Sequence, residues 1–343
     1  MTFIYFILVL SITIFVHELG HFIFAKKAGI YVYEFCIGMG PRIFKFKRKN
    51  DETEYGIRLF PIGGFCSMAG EAVEVDEKVP VERRMQSKTW LQKFLTVIAG
   101  VMFNFIFAII ILFIVGLVNG KPNNKPIIST LEANSPAFIA GLKPNSFVKE
   151  LNGVKVKTID RLLIEYQVNY GKEITLLVVN NGQEETIKIK PNVISKDNYL
   201  YGFSLDNSIE KGLLPAFEYA FTKFGSLINQ MVIIIAYLFT GRLSLTNLSG
   251  PIGIFNIVGQ SAKAGFINIV YLIGYLSINV GFINLLPIPA FDGGRILFLI
   301  IEKIRRKPIS SKVENTIHSI GFILLMLLMV VITYNDIVRF IIK

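Results

Sequence analysis

Apolar residues in this chain gather into long unbroken runs instead of alternating with polar ones. Four stretches are free, or almost free, of Asp, Glu, Lys and Arg: 1–25, where Glu18 is the single exception, 94–120, 264–291 and 315–335. An α-helix needs ~20 predominantly apolar residues to cross a hydrocarbon core ~30 Å thick, so each stretch predicts a membrane-spanning helix. A fifth stretch, 224–241, is flanked by Lys223 and Arg242 and contains Asn229 and Gln230, and its length alone leaves it undecided.

Between the runs the period shortens. After Lys27, "IYVYEFCIGMG" alternates in part, "PRIFKFKRKNDETEYGIRLF" reads as two short strands around a charged turn, and "PIGGFCSMAGE" closes the unit with paired glycines. A small β-hairpin region beside the first helix is expected, with an edge that can receive another chain through backbone hydrogen bonds. "VPVERRMQSKTWLQKF" predicts a surface helix that turns into the second span at Trp90. Residues 121–205 predict one α+β domain, with a helix over 159–166 and strands over 174–179 and 185–189 around Asn180, Asn181 and Gly182. This domain has no histidine, and its acids lie scattered among lysines as on a solvated face.

The chain therefore divides into a first span (1–25), a cytoplasmic membrane-associated β region with a surface helix (26–93) and a second span (94–120). The exported domain (121–205) and an amphipathic helical region (206–263) follow. A third membrane segment (264–301), a basic loop (302–314) and a fourth span (315–335) complete it. The fold class is a multi-span α-helical membrane protein of about four transmembrane helices.

Charge orients this plan. Lys26 and Lys27 follow the first span, and Lys303, Arg305, Arg306, Lys307 and Lys312 crowd the gap before the last, so both flanks read as cytoplasmic. An outside N-terminus and four crossings place both on one side, whereas a fifth would break the agreement. Region 224–241 is accordingly expected to lie on the membrane or dip into it. Composition agrees, with 52% hydrophobic and 18% charged residues in 343. The net charge of +11 lies largely beside the spans, where orientation and anionic lipid account for it, which argues against nucleic acid. Cys36 and Cys66 lack metal-ligand spacing and read as reduced thiols. The first span lacks a basic leader and a small-x-small cleavage site, and is expected to stay attached.

Ionisable side chains at mid-bilayer cost ~2.5–3.5 kcal/mol or more, so they need a partner or a purpose. The first span carries three in "HELGH". His17 and His21, four apart, stack on one helix face and can grip one ion, with Glu18 beside them as general base: the HExxH arrangement of zinc peptidases. A third ligand must come from elsewhere. Asp292, the acid that ends the third run in "NVGFINLLPIPAFDGGRI", lies at matching depth, and Pro287, Pro289, Gly293 and Gly294 around it must interrupt helical hydrogen bonding. His318 enters from the same side, and depth does not exclude it. Asn284 and carbonyls freed near Pro287 are candidates to hold a substrate backbone.

HELGH in the first span together with NLLPIPAFDGG in a later one resembles the site-2 protease family of intramembrane zinc metalloproteases. "SPAFIAGLKPNSFVKELNGVKV" resembles the start of a PDZ domain, and "LTNLSGPIGI" the segment that bacterial members carry after it, so the arrangement is most similar to the bacterial regulated-proteolysis type with one PDZ-like domain. The resemblance implies one Zn2+ on His17, His21 and Asp292, Glu18 as general base, a substrate-clamping Asn284, and a membrane-associated β region over 57–64 that presents substrate. It also implies a bacterial inner-membrane location with the active site toward the cytoplasm. Single-span membrane proteins trimmed beforehand by a site-1-type protease are the implied substrates, anti-sigma factors and remnant signal peptides being the usual classes. Asn104 matches the polar position of the family's second span. Val101 stands where proline is common, Phe291 replaces a leucine, and Asn145-Ser146 replace Gly-Asp in the PDZ turn, which favours a steric filter at least as much as peptide capture.

A helical substrate must unwind before its carbonyls can be attacked, and an edge near Gly63 and Gly64 offers the extended chain replacement bonds. Two rivals remain from other classes: a metal transporter or sensor using the same three ligands, against which Glu18 and the exported domain argue, and an inactive scaffold.

Overall fold

The computed structural model describes residues 1–71, 79–195, 198–244, 248–307 and 309–342. Residues 245–247, the start of the LTNLSGPIGI stretch, and parts of the 26–93 and 302–314 segments thus lie outside the described residues. The chain forms two compact units, one of residues 1–115 and 245–343, the other of residues 116–244.

In the first unit, α1 (Thr2–Lys27) is followed by β1 (Val32–Lys47) and β2 (Glu54–Met68), and α2 starts at Trp90 and runs to Asn119. The surface helix expected before Trp90 is replaced by two single 3-10 turns, Val81–Arg83 and Met85–Ser87. The cause is local: Thr89 and Gln92 form a reciprocal cap, Gln92 N–H donating to Thr89 Oγ1 and Thr89 N–H to Gln92 Oε1, which fixes the helix start at Trp90.

β1 and β2 do more than form the expected hairpin. Residues 42–47 pair with 54–58, from Arg42↔Arg58 to Lys47↔Glu54. Residues 34–37 pair both with 54–57, partner numbers rising together from Glu34↔Glu54 to Ile37↔Ile57, and with 64–67, from Glu34↔Ser67 to Ile37↔Gly64. The two long strands thus fold over into four runs in the order 42–47, 54–58, 34–37, 64–68. Glycines 38, 40 and 63, all at positive φ, supply the bends that L side chains resist. Run 64–68 is an edge, joined by no other strand among the described residues. The charged turn is pinned to the end of α1, where Lys26 pairs with Asp51 (2.7 Å) and Glu52 (2.8 Å). Cys36 and Cys66 are free and buried, and burial with the Glu34 carboxylate beside it pushes the Cys36 thiol up to about 11, consistent with inert reduced thiols.

The remaining helices of this unit are α6 (Pro251–Ala264), α7 (Phe266–Leu285), α8 (Asp292–Arg305) and α9 (Ser311–Ile337). The predicted 264–301 segment is therefore two helices with a break, as the Pro/Gly cluster requires. Buried Asp336, unremarked in the sequence, accepts from Gly253 N–H (2.8 Å) at the start of α6.

The second unit holds the short strands β3 (Lys121–Pro122), β4 (Ile128–Leu131), β9 (Asn192–Ser195), β10 (Asn198–Leu200), β11 (Phe203–Leu205) and β12 (Ile209–Glu210), paired β3 with β12, β4 with β11 and β9 with β10. A four-stranded sheet follows the order β6-β5-β7-β8, from β5 (Phe147–Leu151), β6 (Val154–Lys155), β7 (Ile174–Asn180) and β8 (Gln183–Ile189). The expected turn is a two-residue one at Asn181 and Gly182, both at positive φ as this hairpin type demands. Helices α3 (Pro136–Ile139) and α4 (Ile159–Val168) cover a core that includes Ile128, Val148, Leu162, Leu176 and Tyr201. The long helix α5 (Leu213–Phe239) belongs to this unit.

The acids of this domain are not all solvated as expected. Glu165 is 1% exposed and binds Arg161 (2.7 Å) and the Tyr237 hydroxyl of α5. Asp160 accepts from Lys223 (2.8 Å) and Ser226 (2.6 Å) of α5. Two acids that a solvated-face pattern would leave in water instead fasten α4 to α5, a role set by a helix far along the chain.

Among the described residues, five helices are long and apolar enough to cross a membrane: Thr2–Lys27, Trp90–Asn119, Leu213–Phe239, Phe266–Leu285 and Lys312–Phe340. The fifth beyond the expected four is the stretch whose length left it undecided.

Candidate metal centre

The site begins with helical spacing on α1. His17 and His21 project from one face, both buried, their ring planes at 82° and their Nε2 atoms 3.2 Å apart. On this face α2 crosses α1 closely. A Cβ on Gly20 would strike the Ala99 carbonyl, and a Cβ on Gly100 would strike the His21 ring. Gly20 thus lets the backbone of α2 approach, and Gly100 leaves the imidazoles their room.

The third partner arrives from α8. After α7 ends, Pro287 and Pro289 cannot continue the helical ladder, Ala290 turns at φ 83°, and α8 restarts at Asp292. The loop folds so tightly that a Cβ on Gly293 would collide with the carbonyls of Leu285 and Leu286, and one on Gly294 would lie 2.6 Å from the Ile288 carbonyl. His318 supports this turn from α9: its Nδ1 accepts the Ala290 N–H at 2.9 Å. It is not among the clustered candidate-ligand atoms, which come from His17, His21 and Asp292.

Asp292 Oδ2 lies 3.0 Å from His17 Nε2 and 3.2 Å from His21 Nε2. A tetrahedral zinc with donors at ~2.0–2.1 Å sets them roughly 3.3–3.4 Å apart, close to the spacing of these three atoms. Apart from the imidazole nitrogens, buried Asp292 Oδ2 has no hydrogen-bond partner. Two nitrogens and a carboxylate oxygen, converging and otherwise unsatisfied, fit a zinc ion. The outer ring nitrogens are held as ligands require: His21 Nδ1 donates to the Thr96 carbonyl (2.9 Å), and His17 Nδ1 faces the buried Asn104 amide (3.4 Å). In this placement the amide nitrogen of Asn104 faces His17 Nδ1 and Oδ1 is unpartnered; a half-turn of the amide exchanges the two, so that Oδ1 accepts an Nδ1–H and Nε2 is left free for a metal.

Glu18 lies half-buried beside the imidazoles, and a Cβ on Gly64 would sit 3.0 Å from its Cγ, so the edge strand 64–68 starts packed against the Glu18 side chain. Gly63, at φ 98°, makes the bend that delivers the strand there. Asn284 stays half-buried in the last turn of α7 and Pro287 is exposed in the loop beyond it, neither joined to the three-ligand cluster.

The sequence model of peptidase family M50 matches residues 5–328, a span that includes every residue of this centre. The chain belongs to peptidase family M50. As an M50 chain it is a multi-pass membrane zinc metalloprotease. It is 33% identical to the zinc metalloprotease RasP of Bacillus licheniformis, over 98% of this chain and 99% of that protein. It is 34% identical to the regulator of sigma-W protease RasP of Bacillus subtilis, over 98% of each, and 36% identical to a putative zinc metalloprotease of Clostridium perfringens, again over 98% of each. Among features of this centre missed in the sequence, Thr96 acts through its backbone carbonyl, which no side-chain pattern reveals. The Gly20–Gly100 crossing was accessible only as two glycines in two different spans.

Proposed function

We propose that the chain hydrolyses peptide bonds within or beside the transmembrane helices of single-span membrane proteins, as a late step of regulated proteolysis. His17, His21 and Asp292 hold the zinc, and Glu18 is the general base. The observation that carries this is the placement of Glu18 between a three-ligand cluster and an open strand edge. Bound there, zinc supplies Lewis-acid activation of water and of the scissile carbonyl.

The chain's own residues do the rest. Run 64–68 offers unpaired backbone groups to a substrate stretch that has left its helix, so the carbonyls lost from helical bonding regain partners. Gly64, lacking a side chain, lets the run itself lie close to Glu18. The Glu18 carboxylate takes a proton from the attacking water and returns it to the departing amine. Asn104 and the Thr96 carbonyl keep the imidazoles facing inward. Asn284 and the carbonyls near Pro287 are assigned to clamp the unwound segment.

The same reading puts the metal centre toward the cytoplasm of a bacterial inner membrane, with the second unit, PDZ-like, outside. Its α5 is a helix on the membrane surface. Lys223, Ser226 and Tyr237 along α5 bind α4, while Leu213, Phe217, Phe221, Val232 and Phe239 form an exposed stripe, an arrangement suited to a domain on one face and lipid on another. Attachment of a membrane-impermeant thiol reagent to a cysteine placed at Thr240 in intact cells, from outside, is expected; protection there with labelling only after lysis would mean a crossing.

The relative named for sigma-W regulation makes an anti-sigma factor the first substrate to test, with remnant signal peptides second, each already cut outside the membrane by another protease. The deciding experiment is Glu18→Gln. Zinc content stays near one per chain while cleavage of a single-span substrate falls by about 10²–10⁴-fold. A variant that still cleaves at the parent rate removes Glu18 from the mechanism.

A further inference from the structure

Run 64–68 is held at its start by Gly64 packing on Glu18 of α1. It is held at its far end by a second contact that the zinc chemistry does not require. Glu71 lies three residues beyond the end of β2, in a turn with little freedom: Ala69 N–H donates to the Tyr31 carbonyl (2.9 Å), Met85 N–H donates to the Ala69 carbonyl (2.8 Å), and Gly70 sits at φ 82°. From that turn the Glu71 carboxylate accepts a short hydrogen bond from Arg295 Nη1. Arg295 is on α8 three residues after Asp292, so the ligand and the guanidinium share one side of the first helical turn. Both partners are partly buried, at 32% and 24% exposure, which distinguishes the pair from the solvated ion pairs that contribute little.

We propose that Glu71 and Arg295 form a latch that sets the register of the open strand edge against the metal centre, making both positioning residues for hydrolysis. The edge is thereby fixed at two points, one on each of the helices that supply the clustered ligands. A substrate strand bonded to 64–68 inherits that placement. Successive residues of a strand are ~3.3 Å apart, so slippage by one step presents a different carbonyl to the metal. Arginine suits this task because its planar fork keeps direction as well as charge.

The inference rests on the strand-edge reading above, and the test separates the two. Full-length protein in lipid vesicles is assayed with a single-span substrate, its cleavage bonds mapped by mass spectrometry, and its zinc measured. Glu71→Gln is expected to keep its zinc, raise the apparent KM by about ten- to a hundredfold, and spread cleavage to neighbouring bonds. The exchanged pair, Glu71→Arg with Arg295→Glu, is expected to restore a single bond. An unchanged KM and cleavage bond in Glu71→Gln overturn the latch, as does loss of zinc that the exchanged pair fails to reverse. Proline placed in turn at Phe65 and at Cys66 tests the edge itself, since one of the two removes an outward N–H. If proline abolishes cleavage while Glu71→Gln cleaves as the parent does, the latch alone has failed. If both prolines cleave normally, the edge reading has failed and the latch with it.

Discussion

The carboxylates of two clusters in this molecule are satisfied in opposite ways. At the α4 and α5 contact, Asp160 accepts hydrogen bonds from Lys223, Ser226 and Asn124, and Glu165 is bound by Arg161 and Tyr237. At the metal centre, Asp292 Oδ2 faces only two imidazole nitrogens whose other nitrogens are already engaged. A buried charge surrounded by donors on its own chain is a fastening. One left with converging, unsatisfied neighbours is a vessel for something the chain does not contain. Burial and polarity alone do not separate structure from chemistry; the partner inventory does.

The comparison breaks most visibly if Asp292 is made neutral. Asp292→Asn keeps the shape but weakens the ligand, so zinc content measured by atomic absorption falls to background and proteolysis disappears with it, while the second unit keeps its hydrogen-exchange protection. Retention of stoichiometric zinc would show that Asp292 is a fastening too.

A smaller effect is expected at the other cluster. Glu165→Leu strands the Arg161 guanidinium and should lower the stability of the second unit by about 2–3 kcal/mol, less than a fully enclosed pair because Arg161 reaches solvent. Exchange in α4 and the adjoining part of α5 reports it, and zinc content should not move. Loss of zinc in this variant would mean that the two clusters are not separate devices.

The smallest effect is a pH dependence that sharpens the contrast. Burial by itself raises the Asp160 carboxyl, but the Lys223 ammonium and hydrogen bonds from Lys223, Ser226 and Asn124 outweigh it and hold the group below its usual range. A carboxyl lowered in the folded state contributes stability that is complete above its ordinary value of ~3.9 and is lost as pH falls through the folded value. Exchange in α4, corrected for its intrinsic rate, should therefore quicken only below about pH 4. Asp160→Asn should lack that dependence, and an equal acid response in both proteins would assign it to another group.

Much of this was legible from residue order because it depends on neighbours along the chain. The spans follow from run length, the two-histidine face from a spacing of four, and the break before Asp292 from Pro287, Pro289 and the paired glycines. The turn at Asn181 and Gly182 was readable for the same reason. Where the reading fell short, the deciding partner lay elsewhere. Glu165 looks like any surface acid until Tyr237 covers it. His318 looks like a ligand candidate until the Ala290 amide claims its ring nitrogen.

Residue order by itself determined that this chain crosses a membrane several times and carries zinc-peptidase residues inside a span, because hydrophobic length and helical period are local quantities. Tertiary structure decided that Asp292, and not His318, lies against the imidazoles, that 34–37 pairs on both sides to leave 64–68 as the edge beside Glu18, and that two glycines let α1 and α2 close around the site. Those outcomes depend on distances between segments remote in the chain, and only packing sets such distances.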